Sequence, residues 1–275
     1  MNKAFKSYLF VSILILIGVL VALFFILRAQ PKLSSPKSIT YDALGERFLI
    51  SNLGNHSIVA MDAEGKLSNV IKKGINNPRG ITMRGQELLV ADDDKLHFID
   101  PDPGIITKTV TIEGAKLLND VAVDELGAIY LTDIDAECIW RLDRQGSNPT
   151  QFTSKLMQQP SSLYFDKPRR QMLVVSMGQR QPIILFSTKT NEFSVFKDTM
   201  YSQLSGIQAD DLGRIFFSSL QEQAVFMIPQ AQNRFILFEQ NLKSPADLYW
   251  HEPTNELLLP LTQENRIVRL ALDED

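Results

Sequence analysis

Past Pro36 the chain alternates short apolar runs with polar turns, and the alternation recurs along its whole length. Six stretches open alike: "PKSITYDALGERFLISN" at Pro36, "PRGITMRGQELLVAD" at Pro78, "LNDVAVDELGAIYLTD" at Leu118, "PSSLYFDKPRRQMLVVS" at Pro160, "LSGIQADDLGRIFFSS" at Leu204 and "PADLYWHEPTNELLLPL" at Pro245. Successive starts lie 42, 40, 42, 44 and 41 residues apart. Each stretch predicts a short apolar strand, a turn such as "DALG", "DELG" or "DDLG", and a second strand rich in β-branched, aromatic or Leu residues. A third strand follows ("SIVAMD", "KLHFID", "CIWRLD", "IILFST", "VFMIP", "RIVRLAL"), then a more variable fourth. Four strands at a period of about 40–45 residues predict the blades of a β-propeller. No stretch past Pro36 sustains helical periodicity over a dozen residues. The expected fold is therefore all-β, a six-bladed propeller over residues 36–275 with blades starting near 36, 78, 118, 160, 204 and 245. The sixth blade ends on its third strand. Residues 29–35 form a short linker and a possible closing strand, which Pro31 weakens, and a three-stranded last blade is the alternative.

The first 28 residues follow a different pattern. Ser7 to Leu27 run 21 residues without a charge, enough for a helix rising about 1.5 Å per residue to cross a hydrocarbon core of roughly 30 Å. A cleaved signal peptide has a shorter apolar stretch and a small-residue cleavage site, whereas this run ends in "FFILRAQPK". The expectation is an uncleaved single transmembrane helix at about 7–27. The short basic tail with Lys3 and Lys6 places the N-terminus in the cytoplasm and the propeller on the periplasmic or extracytoplasmic side of the inner (plasma) membrane.

Composition narrows the function classes. The net charge is −4, and removing the first 28 residues leaves 25 basic against 32 acidic residues, a balance of −7. Such a surface does not invite nucleic acid. Cys138, the single cysteine, excludes an internal disulfide and a C-x-x-C site, and in "AECIWRLD" it reads as a buried structural thiol. The three histidines, His56, His97 and His251, sit beside no suitable nucleophile, and no G-x-S-x-G, H-E-x-x-H, Walker or G-x-G-x-x-G pattern occurs.

Candidate chemistry lies at the channel mouth, where first strands start and second strands end. The binding candidates are Arg79, Asp92, Asn119, Asp120, Asp133, Ser161, Ser205 and Asp247. Ser, Asn and Asp at strand starts also satisfy backbone groups, so the same residues carry a purely structural reading.

The repeats, "NDVAVDELGAIYLTD" above all, resemble the regucalcin/gluconolactonase-like family of six-bladed propellers, with NHL-repeat proteins as close relatives. The resemblance implies a divalent ion, often calcium, held by a Glu from the first blade, Asn residues from the third and fourth, and an Asp from the fifth. Matched to this chain, the Glu falls on Lys37 or Ser38, the third-blade Asn on Asn119, the fourth-blade Asn on Ser161 and the fifth-blade Asp on Ser205. One ligand of four is kept. Calcium takes about 6–8 oxygen ligands and depends on their charge, so this set is poor for it.

Two functional expectations follow. The first is a membrane-anchored module that binds a small polar ligand or an envelope protein, without a cofactor. The alternative is a calcium-dependent lactonase or esterase with a rebuilt site of Asn119, Asp120, Asp133 and Asp247, where the metal polarises a carbonyl for attack by water.

Overall fold

A computed structural model describes residues 12–21 and 31–272. Six antiparallel sheets follow one another along the chain, five of four strands and a last one of three, so the fold is the all-β six-bladed propeller. The first strands, nearest the axis, are Pro36–Asp42, Pro78–Arg84, Leu118–Val123, Pro160–Asp166, Leu204–Ala209 and Tyr249–His251. Each pairs with the next strand in sequence, and pairing continues outward in chain order.

The second strand is the most apolar of each blade because both of its faces are covered by neighbouring sheets. Arg47–Asn52, Glu87–Asp92, Ile129–Asp133, Gln171–Ser176, Ile215–Ser219 and Glu256–Leu261 are buried along almost their full length. The outermost strands, such as Leu67–Ile71 and Thr150–Thr153, are largely exposed and polar. Six apolar clusters result, one at each boundary between blades. Cys138 is buried in the cluster between blades two and three, where burial pushes its thiol up to about 11.

The ring closes between blades six and one. Ile39, Phe48 and Ile50 pack with Leu258 there, and Thr262 Oγ1 donates to the Pro36 carbonyl at 3.0 Å. Ser35 N–H donates to Asn265 Oδ1 at 2.6 Å. Residues 31–35 contain no strand, and residues 29 and 30 lie outside those described. The Ser34 and Ser35 carbonyls instead accept from Gly54 and Leu53 of blade one, and among the described residues the last blade has three strands. Its first strand also starts later than the repeat predicts. Pro245 makes only an isolated bridge to Leu261, and the ladder begins at Tyr249.

The chain divides into two compact units, residues 1–32 and 33–275. In the first, residues 12–21 are helical with large apolar side chains exposed from Ile13 to Val21. Among the described residues no helix is long and apolar enough to cross a membrane. The other positions of the expected span, 7–11 and 22–27, lie outside the described residues.

Candidate functional site

Every first strand carries one residue too many just after it starts. Pro36 pairs with Asn52 but Ile39 with Ile50; Pro78 and Ile81 repeat this against Asp92 and Val90. The same extra residue occurs at Asn119, at Ser161, between Leu204 and Ile207, and between Pro245 and Tyr249. A bulge of this kind breaks the ladder and re-aims side chains. Repeated six times around an axis, it turns the second and third residues of each blade toward the centre.

The result is a closed polar cluster of Lys37, Ser38, Gly80, Asn119, Asp120, Ser161, Ser162, Ser205 and Asp247. Asp120 Oδ1 accepts from its neighbour Val121 N–H at 2.8 Å, and Oδ2 accepts from Ser162 Oγ at 2.6 Å and Leu163 N–H at 3.0 Å. Asp247 Oδ2 accepts from Ser38 Oγ at 2.6 Å, and Oδ1 from Leu248 N–H at 2.9 Å. Ser162 Oγ also lies 3.5 Å from Asp247 Oδ1, so one hydroxyl links carboxylates from opposite blades. Lys37 Nζ reaches Ser205 Oγ at 3.4 Å, and Arg79 donates to Asn119 Oδ1 at 2.9 Å. The space these residues enclose has no room for a water-sized sphere.

Blade-to-blade hydrogen bonds tie the same ring together. Ser51 donates to the Arg79 carbonyl, Asn119 Nδ2 and Thr132 to that of Ser161, Ser161 to that of Leu204, and Ser218 to that of Ala246. Asp247 N–H then donates to the Lys37 carbonyl and completes the circuit. Between blades two and three the backbones approach closely. A Cβ on Gly80 would overlap Asp120 and come within 2.9 Å of the Asn119 carbonyl, so only glycine fits. Gly206 has the same role against Ala246 and Asp247.

Of the residues expected here, Asn119, Asp120, Ser161, Ser205 and Asp247 meet in the cluster, with Arg79 on Asn119. Asp92 and Asp133 do not. Asp92 accepts from the Asn76 and Asn77 N–H groups and from His97 Nε2, and Asp133 accepts from the N–H groups of Lys116, Leu117 and Ala136 and from Trp140 Nε1. Both clamp the loop that feeds the first strand of their own blade. Burial works against the Asp92 charge, but His97, Asn76 and Asn77 outweigh it and hold its carboxyl below the usual range. The sequence reasoning gave least weight to Lys37, Ser38 and Ser162, which the bulges bring onto the carboxylates. Their signal was position alone, at the second or third residue of a repeat.

Electrostatics at the axis are dominated by burial. Burial, then the charge of Asp247, pushes Asp120 up to about 8, against the hydrogen bonds it accepts. Burial also raises Asp247, opposed by Ser38, by the Lys37 ammonium and by its other donors. Lys37 is lowered by burial and by Arg79, with Asp247 and Asp120 pulling the other way. Lys37 thus supplies positive charge near both carboxylates while its own hydrogen bond goes to Ser205 Oγ.

The residues present do not fit a calcium ion. The carboxylate oxygens of Asp120 and Asp247 already accept from protein donors, and an ammonium lies beside them. Among the described residues no group of three His, Cys, Asp or Glu side chains could hold a metal. Asp133, a member of the expected metal set, is occupied by four donors away from the cluster.

Comparison with solved structures places the fold. A gluconolactonase from Xanthomonas campestris matches with a TM-score of 0.70 at 14% identity, covering 84% of this chain and 83% of its own. Virginiamycin B lyase from Staphylococcus aureus matches at 0.64 and 15%, covering 87% and 85%. A chain of the nidogen/laminin complex matches at 0.64 and 15%, covering 73% and 78%. No protein-family model matches the chain, and no curated protein does. The resemblance read from the repeats therefore holds as a shared fold with these solved structures.

Proposed function

We propose that this propeller is a membrane-anchored, extracytoplasmic binding module whose axis is a structural plug and whose contacts are made through its outer surface. The observation that carries the reading is the axial cluster. Its serines, Asn119 and both carboxylates are engaged with other protein groups, and the space they enclose holds no water-sized sphere. Support for the anchor comes from the uncharged run from Ser7 to Leu27 and from the exposed apolar side chains of Ile13 to Val21. The propeller would then face the extracytoplasmic side.

The test is thermal unfolding of the full chain in mild detergent, after chelation and during a calcium titration. An ion binding only the folded state at about 100 times its dissociation constant adds roughly 2.7 kcal/mol. The expected outcome is an unchanged melting temperature up to millimolar calcium. A rise that Asn119→Ala removes would instead support the calcium-dependent lactonase and call for a lactone screen.

A further inference from the structure

Between blades two and three, at the end away from the channel mouth, lies a groove of about 530 Å³. Arg84, Glu87, Phe98, Lys108, Arg144 and Gln145 line it. Three of these side chains are cations and one is an acid. Past its first 28 residues the chain carries 25 basic against 32 acidic residues, so three cations on one space run against its overall balance.

The groove is assembled by contacts between the two blades. Arg84 ends the first strand of blade two and reaches across to blade three. Its Nη1 donates to the Arg144 carbonyl at 2.7 Å and to that of Gly127 at 3.4 Å, and its Nη2 pairs with Glu87 Oε2 at 2.6 Å. Its guanidinium lies over the Phe98 ring, 5.5 Å from the centroid, and the Lys108 ammonium lies 5.3 Å from the same centroid. Lys108 Nζ also donates to the Gln145 carbonyl at 2.6 Å, which uses one of its three protons. The Arg144 stem runs along Gly127, where an added Cβ would meet Cγ and Cδ at 3.1 Å. The turn that carries Arg144 and Gln145 is seated on Phe98, since a Cβ on Gly146 would overlap that ring. One ring of blade two and one hairpin of blade three thus gather three positive heads around a common space.

Nearby acids do not neutralise them. Glu87 is committed to Arg84. Asp143, the other carboxylate near Lys108, turns both oxygens into its own hairpin: Oδ1 accepts from the Gln145 and Ser147 N–H groups, and Oδ2 from Asn148 Nδ2. Among the described residues Lys108 and Arg144 make no ion pair, and the Arg144 guanidinium makes no hydrogen bond. Two positive charges are left over in one groove, and an anion with two negative charges relieves their repulsion. A planar guanidinium also matches the oxygens of a phosphate. We infer that this groove binds a phosphate monoester dianion, carried by a small molecule or by a phosphatidate headgroup. The inference rests on the reading of the outer surface as the binding face, and it names the chemistry of one ligand there.

The experiment is a calorimetric titration of the full chain in mild detergent with inorganic phosphate, at constant ionic strength and a pH of about 7.5, where phosphate is mostly dianionic. A second arm replaces phosphate with detergent micelles that contain phosphatidic acid. The expected result is saturable binding in at least one arm, weakened by added sodium chloride. Arg144→Ala and Lys108→Ala should each raise the dissociation constant about tenfold, the worth of one charge-assisted hydrogen bond, with unchanged melting temperature. Lys73→Ala, exposed at the channel-mouth end, should leave the constant as it is. A response to inorganic phosphate assigns a soluble ligand, and a response to phosphatidic acid alone assigns a headgroup. Binding in neither arm, binding that either groove variant leaves intact, or binding of a polyglutamate peptide in place of phosphate would each overturn the inference. The calcium titration above does not depend on this groove. Absence of phosphate binding beside an unchanged calcium response would therefore remove this site and leave the binding-module reading standing.

Discussion

At the scale of single residues, the axial cluster sets how stability responds to pH. The folded-state pKa of Asp120 is raised to about 8 by burial and by Asp247. The native protein therefore holds a proton that the unfolded chain, with an ordinary Asp pKa of about 3.9, releases. Where the native state binds more protons, stability falls as pH rises, and the loss is complete above the folded pKa. His251, lowered by burial and by Arg269, works in the other direction near neutrality. Comparison with Asp120→Asn separates the two. Between pH 5 and 8, as estimated from these pKa positions, the melting temperature of the wild type should fall relative to that of the variant. Parallel curves would show that Asp120 is ionised throughout. Lys37→Met removes the cation beside Asp247 and Asp120. The Lys37 Nζ hydrogen-bonds Ser205 Oγ, and a hydrogen bond from a charged group is worth about 1.5–3 kcal/mol. Urea unfolding should show that loss, and a variant as stable as the wild type would mean that the carboxylates do not need the ammonium.

At the scale of the element, the recurrent device is the bulge at the start of each first strand. It explains both glycines at the axis. Gly80→Ala forces the blade-two backbone away from Asp120 and should cost about 1–3 kcal/mol, as overpacking of a tight core does. Equal stability would mean that the blades can separate at no cost. Asp133→Ala leaves the Lys116, Leu117 and Ala136 N–H groups and the Trp140 indole without their acceptor, a loss of about 3 kcal/mol or more, with no change in calcium response. The pattern of strands was legible because a buried second strand must be apolar on both faces, and six such strands at near-even spacing leave few other folds. The part of the site that was legible is the set at strand starts, Asn119, Asp120, Ser161, Ser205 and Asp247. Asp92 and Asp133, at second-strand ends, instead bind the loop that precedes the first strand of their own blade, a partner that a strand pattern does not name. The bulges that gather the strand-start residues leave no mark in a string of Ser, Asn and Asp.

At the scale of the molecule, the chain divides into two compact units, residues 1–32 and 33–275. If residues 7–27 span a membrane, the full chain should stay with membranes through an alkaline carbonate wash, and a chain starting near Pro31 should be released. Release of the full chain by that wash would remove the anchor from the proposal. The gluconolactonase and lyase likenesses concern the fold, and fold alone does not carry an activity across. The contents of the axis, a lysine and two carboxylates held by serines, distinguish this propeller from one built around a calcium ion.

The way the ring is joined has a kinetic consequence. The bonds from Thr262 to Pro36 and from Ser35 to Asn265 span 226 and 230 residues of sequence. Among the described residues no outer strand from the other terminus clasps the last blade, so the circle is completed by these bonds, by those of Asp247 to Lys37 and Ser38 at the axis, and by one apolar boundary. Contacts between remote segments are slow to form because the intervening chain must first be ordered. During synthesis blade one emerges before blade six and waits, its flank uncovered, until that blade arrives. Phe48 should therefore stay accessible until Leu258 has been made and has packed against it. A chaperone acting on this protein would find its client in that interval.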